Sequence, residues 1–281
     1  MAEVATTGGS APREVAVAQP ISAMRRGPVS QACVAALGIS LAVLAGCGGG
    51  GGYSGSSSSS GSGAYGGGTG GGGGSGSNLT SAPGDSAIAK YLQGQHETWL
   101  NATSSGASYS LVVLDKPNAG TSTFNGSAPA YSTDVTMTVA RAGDMYQANF
   151  DFTNYFLLSP YEPLGKVYAN GTPYAVVNSP DPLPPTLTVG SSGTIETAFI
   201  YHDSTQSVSD GNMSIAYTVK PNNASTILFC LETEVSGVTS QGISDGLANG
   251  METDCYSVSA TGTVNLVSVA MTVGGVSLNF H

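Results

Sequence analysis

The residues able to act as bases or metal ligands gather in two short stretches. His202 is followed by Asp203, a pairing that can orient an imidazole for base catalysis, with one of the many serines as nucleophile. Asp203, Ser207, Asp210 and Asn212 crowd one stretch, and Asp245, Asn249, Glu252 and Asp254 crowd another. Hard oxygen ligands of this kind suit calcium. Neither spacing follows the calcium-loop pattern D-x-[DN]-x-[DN]-G with a distal Glu, and Asp-Gly and Asn-Gly are ordinary turn chemistry. No G-x-S-x-G elbow, H-E-x-x-H, C-x-x-C or phosphate-loop lysine occurs. Of the other histidines, His96 is expected on the solvent face of a helix and His281 is the last residue. The bland reading is the better one: a strand-end histidine beside a turn-forming aspartate, no catalytic residue, no metal site and no cofactor.

Aromatic residues offer a different chemistry. Tyr146, Phe150, Phe152, Tyr155, Phe156 and Tyr161 fall within sixteen residues. Alternate members of a strand belong in the core. Tyr155, Phe156 and Tyr161, beyond its expected end and beside Pro160 and Pro163, form the candidate ligand patch, an exposed apolar or sugar-stacking surface.

Upstream, the sequence reads as an export signal. Arg25 and Arg26 precede an apolar run from Ala32 to Ala45, which leads into Cys47. Fourteen residues rise about 21 Å as a helix, short of a bilayer core of about 30 Å, so a signal peptide fits better than a spanning helix. The ending Leu44-Ala45-Gly46-Cys47 resembles the lipobox of bacterial lipoproteins. That resemblance implies removal of residues 1–46 and a diacylated Cys47 sulfur, with palmitate among the chains and the new amino group often acylated too. Several chains on one residue hold a protein where one chain binds only marginally. Gly48 stands where enterobacterial lipoproteins retained in the inner membrane carry Asp, so the resemblance implies the outer membrane. A leader of this length exceeds the usual 15–30 residues, and a start at Met24 would restore it, leaving residues 1–23 as an extension. The cysteine count then closes. Cys33 leaves with the leader, Cys47 carries lipid, and Cys230 and Cys255 remain as a disulfide in an oxidising compartment, worth roughly 3 kcal/mol in the chain-entropy picture.

Residues 48–77 hold seventeen Gly and nine Ser, too little apolar surface to offset the entropy of ordering. As a coil this tether spans roughly 30 Å. Gly61-Ser62-Gly63-Ala64-Tyr65-Gly66 matches a dinucleotide fingerprint, but Gly and Ser replace the strand and helix that the motif requires. The Cys47–Ser77 stretch resembles in composition the tethers of neisserial-type surface lipoproteins, such as transferrin-binding protein B and the heparin-binding antigen. This implies display on the cell surface and a host protein or glycan as ligand.

Residues 78–281 carry the fold that must position any site. A helix is expected over Asp85–Leu100, where Ile88, Leu92 and Trp99 recur at helical spacing, with Gly94 as a weak point. Thereafter the period is two. A two-residue Ala142-Gly143 turn sets Val139 opposite Tyr146, Met137 opposite Ala148 and Val135 opposite Phe150. Gly274-Gly275 sets Val273 opposite Val276, Met271 opposite Leu278 and Val269 opposite Phe280. Asn170-Gly171 sets Val167 opposite Tyr174, and Pro173 suggests an edge strand. Further strands are expected over Tyr109–Leu114, Ile195–His202, Met213–Lys220, Thr226–Glu232 and Asp254–Ser259. Ile195, Phe199 and Tyr201 are expected to share one face, as are Met213, Ile215, Tyr217 and Val219. The Pro-rich run Ser179–Pro185 divides a helix-plus-hairpin region, 78–183, from a disulfide-stapled sandwich-like region, 184–281; a single β domain crossed by a Pro-rich loop fits equally.

The whole chain carries a formal charge of −10. From Cys47 onward five basic residues stand against sixteen acidic ones, a net of −11. Such a chain offers nothing to a phosphate backbone or anionic lipid, which excludes nucleic acid as a partner. The expectation is a mainly β, antiparallel sandwich or barrel-like protein with one N-terminal helix, held to the bacterial envelope through Cys47. Its role is structural or the binding of a protein or glycan, with an envelope hydrolase using His202 as the remote alternative.

Overall fold

The computed structural model describes residues 78–145 and 147–281; the leader, Cys47 and the tether lie outside the described residues. A short strand β1 (Ser81–Pro83) leads into helix α1 (Asp85–Leu92). Then come β2 (His96–Ser104), β3 (Ala107–Pro117), β4 (Ser122–Phe124), β5 (Ser127–Arg141), β6 (Gln147–Leu158), β7 (Tyr161–Tyr168) and β8 (Tyr174–Pro180). Past the Pro-rich run lie β9 (Thr186–Thr188), β10 (Ser192–Tyr201), β11 (Ser209–Pro221) and β12 (Thr226–Ser236). Helix α2 (Ser240–Ser244), β13 (Gly250–Ser259), β14 (Val264–Val273) and β15 (Val276–Phe280) complete the chain.

Twelve strands form one antiparallel path, from β2 through β3, β5, β6, β7, β8, β10, β11, β12, β13 and β14 to β15. β4 pairs with β5, and β1 with β9 makes a separate ribbon. The path nearly closes on itself. Asn101 in β2 and His281, just past β15, exchange both backbone N–H···O bonds at 3.0 Å. The result is a barrel-like sheet whose edges shield each other.

Alternation fixes the two faces of the wall. In β5, Val135, Met137 and Val139 are buried while Asp134 and Thr136 are exposed; in β6, Phe150, Phe152 and Phe156 are buried while Asp151 is exposed. On β5 the outward residues Asp134 and Thr136 make that face polar. No helix among the described residues is long and apolar enough to cross a membrane.

Because every strand reverses direction, alternate connections gather at the same end. The distal rim carries the β2–β3, β5–β6, β7–β8, β10–β11, β12–β13 and β14–β15 connections. The basal end carries the rest, together with α1 and the β1–β9 ribbon. Helix α1 packs against both β7 and β14, six places apart along the sheet, so it bridges the basal opening. Ala87, Ile88, Ala89, Tyr91 and Leu92 are all buried, the mark of a plug. The Asp85 carboxylate accepts from the Tyr161 N–H at 2.8 Å, and Thr133 Oγ1 donates to the Leu92 carbonyl at 3.0 Å. Leu183 and Leu187 of the Pro-rich region are buried beside it, where Gly84 and Asp85 N–H groups donate to the Pro185 and Pro184 carbonyls.

Several expectations are corrected. The helix ends at Leu92, and His96–Ser104 is a strand whose Leu100 and Ala102 face inward and whose Trp99 is 67% exposed. Gly94 marks the change, and the β-favouring Thr98, Trp99 and Thr103 then pair with β3. The β5–β6 register is shifted by two, with Val139 opposite Ala148, Met137 opposite Phe150 and Val135 opposite Phe152. An even shift keeps the faces while lengthening the loop, because Ala142 turns back to donate to the Ser108 carbonyl. The other two hairpins have the expected registers. β8 is not an edge strand: it lies between β7 and β10, and Pro173 precedes its first paired residue, where no ladder N–H is needed. A bulge at Ile195 puts Phe199 and Tyr201 on the outer side, whereas Met213, Ile215 and Val219 are buried on one face of β11. The Pro-rich run separates no sheets, since β8 pairs directly with β10.

Two substitutions test this packing. A Cβ on Gly84 would collide with the Pro184 carbonyl, so Gly84→Ala is expected to cost about 1–3 kcal/mol. Trp99→Ala, on the outer face, is expected to stay within about 0.5 kcal/mol. Urea midpoints of the two variants decide between an outward Trp99 on a strand and a buried one on a helix.

Candidate functional site

Inside the barrel, a polar belt interrupts the apolar core. Lys166 on β7, Glu196 on β10, and Glu252 and Asp254 on β13 are each at most 2% exposed. Two bulges turn the first two inward. In β7 the register slips at Leu164, so Lys166 follows Gly165 into the interior; in β10 it slips at Ile195, which brings Glu196 in. Gly165 has φ 147°, and a Cβ there would meet the Ala175 carbonyl and the Phe124 ring, so only glycine fits the bulge. Burial pushes the Lys166 ammonium down against the pull of Glu196, Glu252 and Asp254; burial likewise pushes Glu196 up against the pull of Lys166. Lys166 Nζ also lies 5.3 Å from the centre of the Phe152 ring. Nearer the base, Tyr91 donates to Asp115 at 2.8 Å, and burial raises both groups. These side chains lie buried within the apolar core of the barrel.

The distal rim is different. His202 directly follows β10, Asp210 is the second residue of β11, and Asp245 caps the C-terminus of α2. His202 Nδ1 lies 2.6 Å from Asp245 Oδ2, and Gln241 Nε2 donates to both Asp245 oxygens at 3.1 and 3.2 Å. Asp210 has no exposed surface, and its carboxylate accepts no hydrogen bond. Helix α2 sits tightly on β11. Thr239 donates its N–H to the Asp210 carbonyl and its hydroxyl to the Ser209 carbonyl, and it caps Gly242 N–H at 3.1 Å. Gly242 is buried, and any Cβ there would strike the Asp210 carbonyl.

The hydrogen bond that His202 donates to Asp245 raises the imidazole pKa, with further attraction from the nearby carboxylates. Burial pushes Asp245 up, but the hydrogen bonds from His202, Gln241 and Asp210 outweigh it and leave the carboxyl below its ordinary range. Burial and the adjacent Asp245 push Asp210 up to about 6.

His202 is therefore oriented by Asp245 and not by Asp203, which closes a local turn by accepting from the Thr205 N–H and hydroxyl. Among the described residues no serine hydroxyl is hydrogen-bonded to the imidazole. Beside the cluster, a cleft of about 430 Å³ opens between the β7–β8 turn and the chain after α2, lined by Asn149, Asp151, Tyr168, Asn170, Pro173 and Asp245.

The three residues of the aromatic patch do not share a surface. Phe156 and Tyr161 are buried inside the barrel, their rings 6.0 Å apart. Tyr155 faces outward beneath Phe124, their centroids 4.4 Å apart, with Tyr174 on the other side of Phe124 at 5.3 Å. Strand alternation explains the split between Tyr155 and Phe156. Cys230 and Cys255 are directly opposite each other on β12 and β13 and form a disulfide. No protein-family model, curated protein or solved structure matches this chain.

Lys166→Met removes the cation from the buried belt and is expected to cost about 3–5 kcal/mol at neutral pH. Without it burial keeps the Glu196 carboxyl protonated in the fold, while in the unfolded chain the same group ionises above about 4.5. Stability of the variant is then greatest below that pH and falls as pH rises toward neutrality. Denaturant midpoints at several pH values read the effect directly.

Proposed function

We propose that this chain is a lipid-anchored envelope protein whose barrel is held at its basal end by the Gly/Ser tether and meets a protein or glycan partner at its distal rim. The observation that carries this reading is the division of labour between the two ends. Leu79, two residues past the tether, donates to the Asn223 carbonyl in the basal β11–β12 turn, whereas the β10–β11 connection with His202 and the β12–β13 connection that carries α2 emerge at the opposite end. The core of buried side chains inside the barrel favours recognition on the surface. The distal cleft, lined by Asn149, Asp151, Asn170 and Asp245, presents carboxylates and carboxamides of the kind that hydrogen-bond sugar hydroxyls. The reading is non-catalytic: His202 has an orienting carboxylate and, among the described residues, no bonded nucleophile. The lipobox resemblance at Cys47 supports the anchor, and Gly48 supports the outer membrane.

Labelling cells with radioactive palmitate tests the anchor. The wild-type chain is expected to carry label and sediment with membranes, and Cys47→Ala to lose both properties. Protease treatment of intact cells then separates surface display, with its host ligand, from a periplasmic facing. A glycan panel probed with the detergent-solubilised protein tests the rim, with Asp151→Ala and Asn170→Ala expected to weaken any retained ligand at least tenfold.

A further inference from the structure

We propose that the distal rim carries a zinc-class divalent metal site formed by His202, Asp210 and Asp245, joining α2 to the barrel wall. One ligand atom from each residue falls within 4.8 Å of the other two. That proximity alone would describe an acidic cluster. The independent observation is Asp210: a carboxylate with no exposed surface, accepting no hydrogen bond from any N–H or hydroxyl donor, and set against the Asp245 carboxylate, with which it can only share a proton. A buried carboxylate without a donor is costly, and a cation between Asp210 and Asp245 removes that cost.

The donor set selects the ion. An imidazole with two carboxylates suits zinc and its transition-metal neighbours, whereas calcium takes six to eight oxygens. Metal–ligand distances of about 2.0–2.2 Å place tetrahedral ligand atoms about 3.5 Å apart. The widest pair must therefore close by at most about 1.3 Å. Asp245, at the free end of a five-residue helix, and the partly exposed His202 ring are the parts able to move. The proton now shared by His202 Nδ1 and Asp245 leaves to solvent when the ion enters. Gln241, already bonded to both Asp245 oxygens, orients that ligand from behind. The exposed side of His202 leaves room for a water or a partner's ligand as the fourth donor.

The site does not depend on the anchoring proposed above, and its test does not use it. Full-length protein in detergent, stripped with a chelator, is titrated with zinc chloride by calorimetry, with manganese and calcium chloride in parallel. One zinc per chain is expected, with zinc at least 100-fold tighter than calcium, and with a concentration-dependent rise in Tm. Asp210→Asn keeps the shape and relieves the facing carboxylates, so the metal-free variant is expected to fold with an unchanged or higher Tm. It should lose the zinc-induced rise and bind at least about 100-fold more weakly. His202→Ala should behave likewise, while His281→Ala should bind normally. Less than stoichiometric zinc, equal or tighter calcium binding, or zinc binding unaffected by Asp210→Asn would each overturn the proposal and leave Asp210 and Asp245 as a pair sharing a proton.

Discussion

The whole structure depends on bringing β2 against the end of β15. A twelve-strand antiparallel sheet has two edges, each with unpaired backbone donors and acceptors that invite another chain. Here Asn101 and His281 pair across the seam. That pairing requires residues after His96 to be extended. Had the helix continued to Leu100, β3 would have lost its partner, and β15 would have faced solvent. The competition between helical spacing and β preference in this short segment is settled by closure, a constraint that no local window contains.

Closure then sets the problem of the interior. Barrels of about eight strands are the size that side chains fill readily, and a longer circuit encloses more space. Two devices take up the excess. Helix α1 bridges the basal opening between β7 and β14, and the bulges in β7 and β10 deliver a lysine and a glutamate where regular alternation would have kept them out. Lys166 senses Glu196 but also Glu252 and Asp254, which lie five places away along the sheet, so the belt couples distant parts of the wall. A single cation among three buried carboxylates is a weak source of net stability. Its physical effect is on register, because a slip at either bulge would strand a charge in the core or expose apolar side chains.

Much of this was legible in the sequence, and the failures share one cause. The Gly274-Gly275 and Asn170-Gly171 turns revealed their registers because two-residue glycine turns leave the pairing no freedom. Ala142-Gly143 looked alike but was wrong by two residues, since Ala142 is held by β3 through Ser108, outside any hairpin pattern. Ile195 was assigned correctly to a strand and Phe199 to the wrong face, because a bulge inverts everything beyond it. The candidate patch failed similarly: Tyr155 and Phe156 are neighbours in sequence and therefore on opposite faces of β6. Lys166 gave no signal in sequence, and only the conformation of Gly165 explains its inward course.

The rim cluster is the more instructive omission. Its two acidic stretches were read separately, and each lacked a ligand pattern. In an up-and-down sheet, however, the β10–β11 and β12–β13 connections must emerge at the same end, one hairpin apart. Parity alone brings Asp210 of the first stretch toward Asp245 of the second, and Gly242 lets α2 approach closely enough to finish the contact. Candidate ligands in a meander should therefore be pooled across alternate connections before their spacing is judged. Here that pooling joins one histidine and two carboxylates at the end of the barrel opposite Leu79, where a partner would approach on the proposed reading.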